Sequence, residues 1–99
     1  MSKARVLISD PMSSQAVDVF KKRGIDVVQT GKMTEEELLD MIPSFHGLAI
    51  RSSTNVTEKI LNAALQLKVV GRAGIGVDNI NVPACTAKGI VVMNTPMGN

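Results

Sequence analysis

Tryptophan and tyrosine are absent from these 99 residues, and Phe20 and Phe45 are the only aromatic side chains. The core must therefore be aliphatic, with little surface on which a nucleobase or a flavin ring could stack. Cysteine occurs once, at Cys85, which excludes an internal disulfide and a multi-cysteine metal site and suits a reducing compartment. A buried structural thiol is its default reading. No stretch nears the roughly 18 consecutive apolar residues of a membrane span. The N-terminal Met1-Ser2-Lys3-Ala4-Arg5 runs into a strand-like segment without a signal-peptide core. A cytoplasmic protein with no membrane partner is the resulting expectation. Excess charge is also scarce, at +2 formally, and Lys21, Lys22 and Arg23 form the one basic run. Cations there complement the C-terminal end of a helix, which favours helix termination over nucleic-acid binding.

What is present is ordinary for a soluble globular chain: 44% hydrophobic and 20% charged residues, far from the composition of disorder. The length fits one domain of thin stability, since a chain this short buries only about 65% of the surface its unfolded form exposes. Apolar runs rich in Val, Ile and Leu recur at Arg5 to Ser9, Asp26 to Gln29, Gly47 to Arg51, Lys68 to Gly71 and Ile90 to Asn94, giving five expected strands. Between them lie helical signals. Ser13 or Ser14 caps Ala16 to Arg23, Thr34 caps Glu35 to Ile42, Thr57 caps Glu58 to Gln66, and a short turn surrounds Pro83 to Lys88. Thr34 and Glu37 have capping-box spacing, and Gly24 and Gly89 stand where left-handed C-cap residues belong.

This alternation implies a parallel sheet, and right-handed crossovers with one reversal of direction give the flavodoxin-like strand order 2-1-3-4-5 in an α/β fold with helices on both faces. The chain reaches Asn99 soon after its fifth strand with no further helix signal. Part of one face is thus expected to lie bare, and the chain to be a truncated portion of a longer one that lacks its last covering helix.

Ligands of open parallel sheets bind outside the carboxyl ends of the strands, here the segments beginning at Asp10, Arg51, Arg72 and Thr95. Gly71-Arg72-Ala73-Gly74-Ile75-Gly76-Val77-Asp78-Asn79 is similar to a phosphate-binding glycine loop. It fails the dinucleotide fingerprint, because Asn79 stands where a third glycine or alanine is needed and the fifth strand ends in Asn94 rather than a ribose-binding acid. Two readings stay open: a structural glycine turn, and a loop whose amides hold a small carboxylate or phosphate. Arg51, followed by Ser52-Ser53-Thr54, is either an anion clamp or a solvated arginine. Asp10 raises the thought of a phospho-acceptor receiver, but that chemistry needs acids near the third strand and a lysine at the fifth, where Arg51 and Asn94 or Thr95 stand. His46 falls at the amino end of the sheet, away from the ligand edge, which argues against catalysis. Met12, Met33, Met41, Met93 and Met97 read as core filler rather than metal ligands, since no His or Cys clusters with them.

Three stretches carry a resemblance that spans the chain: Arg51-Ser52-Ser53-Thr54, Val69 to Asn79, and Gly89-Ile90-Val91-Val92-Met93-Asn94-Thr95-Pro96. Together they resemble the N-terminal substrate-binding segment of the D-isomer-specific 2-hydroxyacid dehydrogenases, in particular those acting on 3-phosphoglycerate. The resemblance implies a cytoplasmic, homo-oligomeric, NAD-linked oxidoreductase that converts 3-phosphoglycerate to 3-phosphohydroxypyruvate in L-serine biosynthesis. It further implies that residues 1–99 form most of the substrate-binding domain and that the Rossmann NAD-binding domain lies outside them. Carried onto this sequence, it implies that Arg51 and Ser52 contact the anionic groups of the substrate, that the Gly74-Ile75-Gly76 backbone holds its carboxylate, that Asn99 lines the cleft, and that Ile75 nears the nicotinamide. No residue here matches the family's catalytic histidine, its acidic partner or its orienting arginine, so the segment by itself is expected to be inactive. The competing reading is a stand-alone flavodoxin-like anion-binding or signalling module, and the coding sequence beyond codon 99 separates the two.

Overall fold

The order of apolar runs and capped helices produces an α/β fold built on a five-stranded, wholly parallel sheet. The computed structural model describes residues 4–10, 18, 21–31, 33–51, 54–73 and 78–95. Strands β1 (Arg5–Ile8), β2 (Asp26–Gln29), β3 (Gly47–Ile50), β4 (Val69–Ala73) and β5 (Val91–Thr95) are arranged in the order β2-β1-β3-β4-β5. Register is continuous across the centre: Leu7 lies beside Val28 and Leu48, and Leu48 beside Val70.

Helix α1 (Glu35–Met41) begins at Thr34, with the reciprocal bonds of a capping box between Thr34 and Glu37, and runs into a 3-10 turn at Ile42–Ser44. Helix α2 (Glu58–Ala63) is capped by Thr57, and α3 (Val82–Ala87) by Asn81, whose side chain accepts from the Ala84 amide. The positive φ angles of Gly24 and Gly89, 75° and 73°, put them in the left-handed region that ends helices at low cost. Asp18, Lys21 and Lys22 are helical, and the Gly24 amide donates to the Lys21 carbonyl, so the basic run does sit at a helix end. The rest of that expected helix lies outside the described residues.

Most element ends fall within one residue of the sequence reading, and three differences are larger. Strand β4 does not stop at Gly71 but continues through Arg72 and Ala73, because β5 offers them Asn94 and Thr95 as partners. Helix α2 stops at Ala63, three residues early; the chain then turns to bury Leu67 and lets Gln66 Nε2 donate to the Pro43 carbonyl. The segment around Pro83 is a capped helix rather than a turn.

The main core lies on one face, where Leu7, Leu48, Ile50 and Val70 meet Leu38 and Ile42, Ile60 and Leu61, and Cys85. Helices α1, α2 and α3 all contribute to this layer. The alternation of strand side chains sends Val6, Ile8 and Ala49 to the opposite face, where Ile25 and Val27 pack on them. Farther along that face, Val91 and Met93 of β5 are 57% and 50% exposed, so among the described residues part of it does lie open.

Cys85 is fully buried, and desolvation pushes its thiol above the usual range. A raised folded value favours the neutral form, so this contribution to stability is present at neutral pH and disappears as pH rises through the folded value. Ellman's reagent at neutral pH is expected to modify Cys85 only as fast as the chain opens, with denaturant accelerating the reaction. Immediate stoichiometric labelling of the native chain would contradict this placement.

Candidate functional site

At the carboxyl edge of the sheet, apolar strands give way to polar residues whose backbone groups have left the ladder and need other partners. Ser9 and Asp10 follow β1 and are completely buried, and Thr54 is 7% exposed. A carboxylate so placed must be surrounded by donors. Asp10 Oδ2 accepts from the Arg51 amide at 2.7 Å and the Thr54 amide at 3.1 Å, while Oδ1 accepts from the Thr54 hydroxyl at 2.8 Å. The Ser9 and Thr54 hydroxyls share a further bond of 2.9 Å. This burial also removes Asp10 from consideration as a phospho-acceptor.

A second side chain holds the same segment from the other side. Asn79 Nδ2 donates to the Arg51 carbonyl at 2.7 Å and to the Thr54 carbonyl at 2.5 Å. Nearby, Val56 and Ile80 form an isolated parallel bridge, with the Val56 amide donating to the Asn79 carbonyl and the Asn81 amide to the Val56 carbonyl, each at 2.9 Å. The segments following β3 and β4 are thereby joined. Arg51 itself is exposed at this edge.

Arg72 projects from β4 with its side chain 12% exposed and pairs with the exposed carboxylate of Asp78. Ser52, Gly74, Ile75, Gly76 and Asn99, the other residues expected at the site, lie outside the described residues. Sequence reasoning missed the roles of Asp10 and Asn79. The available signal was a carboxylate and an amide placed just after strands, where ladder hydrogen bonding ends.

The described residues do not form a dinucleotide site. The Asn79 side chain is committed to the two carbonyls, and β5 carries Asn94 where a ribose-binding acid would stand. They also contain no group of three or more His, Cys, Asp or Glu able to hold a metal ion. His46 lies at the opposite edge, where Nδ1 accepts from the Arg5 amide at 3.0 Å and the backbone amide donates to the Arg5 carbonyl. Met33 and Met41 pack against the core as filler does, while Met93 is half-exposed; Met12 and Met97 lie outside the described residues.

Residues 6–99 match the family described as D-isomer specific 2-hydroxyacid dehydrogenase, catalytic domain. The chain is 49% identical over 96 residues to a D-3-phosphoglycerate dehydrogenase of Synechocystis, covering 97% of this chain and 17% of that protein. Among solved structures, it is similar to the PH0520 protein of Pyrococcus horikoshii, with a TM-score of 0.90 and 30% identity over 95% of this chain and 28% of the other. It is also similar to the NAD+-bound 3-phosphoglycerate dehydrogenase of Entamoeba histolytica, with a TM-score of 0.85 and 32% identity over 96% of this chain and 33% of that one. The chain thus spans about one sixth of the length of the curated relative.

The Arg72–Asp78 pair gives the site a measurable pH signature. A hydrogen bond from the Arg72 guanidinium, then one from the backbone, then attraction between the charges hold the Asp78 carboxyl below the usual aspartate range. A depressed folded value means a contribution present above the unfolded value and lost as pH falls through the folded one, and for so exposed a carboxylate solvent screens it. In a carboxyl-carbon NMR titration, Asp78 is expected to have a low midpoint that Arg72→Met raises toward the ordinary range, the backbone hydrogen bond remaining. An unchanged midpoint in the variant would refute the pairing.

Proposed function

The chain belongs to the D-isomer specific 2-hydroxyacid dehydrogenase family, and from this we propose that it is the substrate-binding portion of an NAD-dependent D-3-phosphoglycerate dehydrogenase. The whole enzyme oxidises 3-phosphoglycerate to 3-phosphohydroxypyruvate, the first step of L-serine biosynthesis, in the cytoplasm and as a homo-oligomer. The observation that carries this reading is the 49% identity over 97% of the chain to a protein of that name. It is supported by the placing of Arg51 and the Asn79-bearing segment at one edge of the sheet. Nothing comparable favours a stand-alone signalling module.

In this reading residues 1–99 bind and orient the substrate. The Arg51 guanidinium offers paired N–H groups to a carboxylate or phosphate, a geometry that a lysine would not reproduce. The Ser52 hydroxyl adds a donor, the backbone amides of Gly74, Ile75 and Gly76 hold the substrate carboxylate, and Asn99 lines the cleft. NAD, when bound, accepts the hydride that leaves the hydroxyl-bearing carbon. A Rossmann domain outside these residues holds that cofactor, with Ile75 as this chain's contact near the nicotinamide. The group that removes the hydroxyl proton likewise lies outside them, so this portion alone does not turn over.

Titration of the isotopically labelled chain with 3-phosphoglycerate is expected to shift the amide signals of Arg51 and Gly74 to Gly76. Arg51→Ala should weaken binding about tenfold, the scale of one lost charge-assisted contact. Addition of NAD and substrate should produce no NADH absorbance. Absence of any shift at those amides would defeat the reading of this portion as the substrate-binding part.

A further inference from the structure

Every polar group of Thr54 is engaged at the carboxyl edge. Its amide donates to Asp10 Oδ2 at 3.1 Å, its hydroxyl to Oδ1 at 2.8 Å, and its carbonyl accepts from Asn79 Nδ2. A hydroxyl has a single proton, and a carboxylate can only accept. The Thr54 proton is therefore committed to Asp10, and in the 2.9 Å bond between the two hydroxyls Ser9 must be the donor. The side-chain bonds thus run in one direction, from Ser9 to Thr54 to Asp10, through three buried residues.

The series ends at Arg51, whose amide donates to Asp10 Oδ2 at 2.7 Å. The two oxygens of a carboxylate are rigidly linked, so holding one decides where the other points. The terminal torsion of an aspartate is otherwise broad, and without the Thr54 hydroxyl the group is free to turn. Asp10 is fully buried and Thr54 is 7% exposed, so a ligand meets neither side chain; what they do for binding passes through the backbone of Arg51.

We propose that Thr54 is a positioning residue: its hydroxyl sets the direction of the Asp10 carboxylate, and the carboxylate holds the Arg51 backbone in place before an anion arrives. This rests on the reading of Arg51 as an anion contact given above. A group ordered in advance does not have to be ordered at the cost of binding, so loss of the hydroxyl lowers affinity although the ligand never touches it.

Thr54→Val keeps the branched shape and the backbone amide but removes the hydroxyl, and Thr54→Ser keeps the hydroxyl. NMR of the 99-residue chain reads three quantities: exchange protection of the Leu7, Leu48 and Val70 amides as the fold control, the Arg51 amide proton shift without ligand, and the affinity for 3-phosphoglycerate. In the wild type the Arg51 amide proton is expected downfield, as a short bond to a carboxylate requires. Thr54→Val is expected to move it upfield and to weaken 3-phosphoglycerate about tenfold with strand protection kept, and Thr54→Ser to bring both back toward wild type. General support of the fold would instead lower strand protection and leave the Arg51 signal where it was.

Should Thr54→Val fail to fold, the wild-type chain still decides. The scalar coupling across the hydrogen bond from the Arg51 amide nitrogen to the Asp10 carboxyl carbon is expected without ligand and at saturation with 3-phosphoglycerate, and its disappearance at saturation overturns the inference. A wild-type chain that does not respond to 3-phosphoglycerate overturns the anion-site reading and this inference with it. A wild-type response that Thr54→Val leaves unaltered, or an Arg51 amide signal that it leaves in place, overturns the inference alone.

Discussion

A carboxylate removed from water at the end of a central strand needs several donors, and at Asp10 most of the ligand edge is organised around that need. Burial without partners would cost several kcal/mol or more. The partners are the Arg51 and Thr54 amides and the Thr54 hydroxyl. The strand order makes this possible. Because β1 lies between β2 and β3, the chain leaving β1 emerges next to the chain leaving β3, at the point where successive crossovers diverge and parallel sheets bind their ligands. β4 lies on the other side of β3, so Asn79 approaches the same segment from the opposite flank.

The two edges of the sheet are built from different contacts. At the amino edge, Arg5 pairs with Asp26 and its guanidinium lies 4.6 Å from the Phe45 ring centre. His46 exchanges backbone and ring hydrogen bonds with Arg5, and its carbonyl accepts from the Lys68 amide. These contacts join β1, β3 and the approach to β4, and leave His46 a structural role. At the carboxyl edge the buried polar groups hold the backbone of an exposed arginine in place, so a rigid scaffold carries the proposed binding group on the segment that follows a strand.

Most of the architecture was legible in the sequence because its signals are local. Runs of Val, Ile and Leu marked the strands, Thr34 and Thr57 the helix starts, and Gly24 and Gly89 the helix ends. The misplaced boundaries all depended on distant residues. β4 continues past Gly71 because β5 is there to pair with Arg72 and Ala73, and α2 stops early so that Leu67 can be buried. At the carboxyl edge, the place of Arg51 directly after a strand was legible for the same reason. Asp10 was weighed as a reactive acid, whereas its partners lie 41 and 44 residues away and convert it into a structural one. Asn79 was read as a defect in a glycine motif, when its side chain reaches back 28 and 25 residues to Arg51 and Thr54.

What remains to be measured is an energetic connection between Arg51, the proposed ligand contact, and Asn79, which holds its carbonyl. A double-mutant cycle of Arg51→Ala and Asn79→Ala on 3-phosphoglycerate binding measures that connection directly. If Asn79 acts by placing Arg51, its loss costs less once the guanidinium is gone, and the coupling is about 1 kcal/mol. Strictly additive losses would mean that the two residues act independently, and would contradict the account.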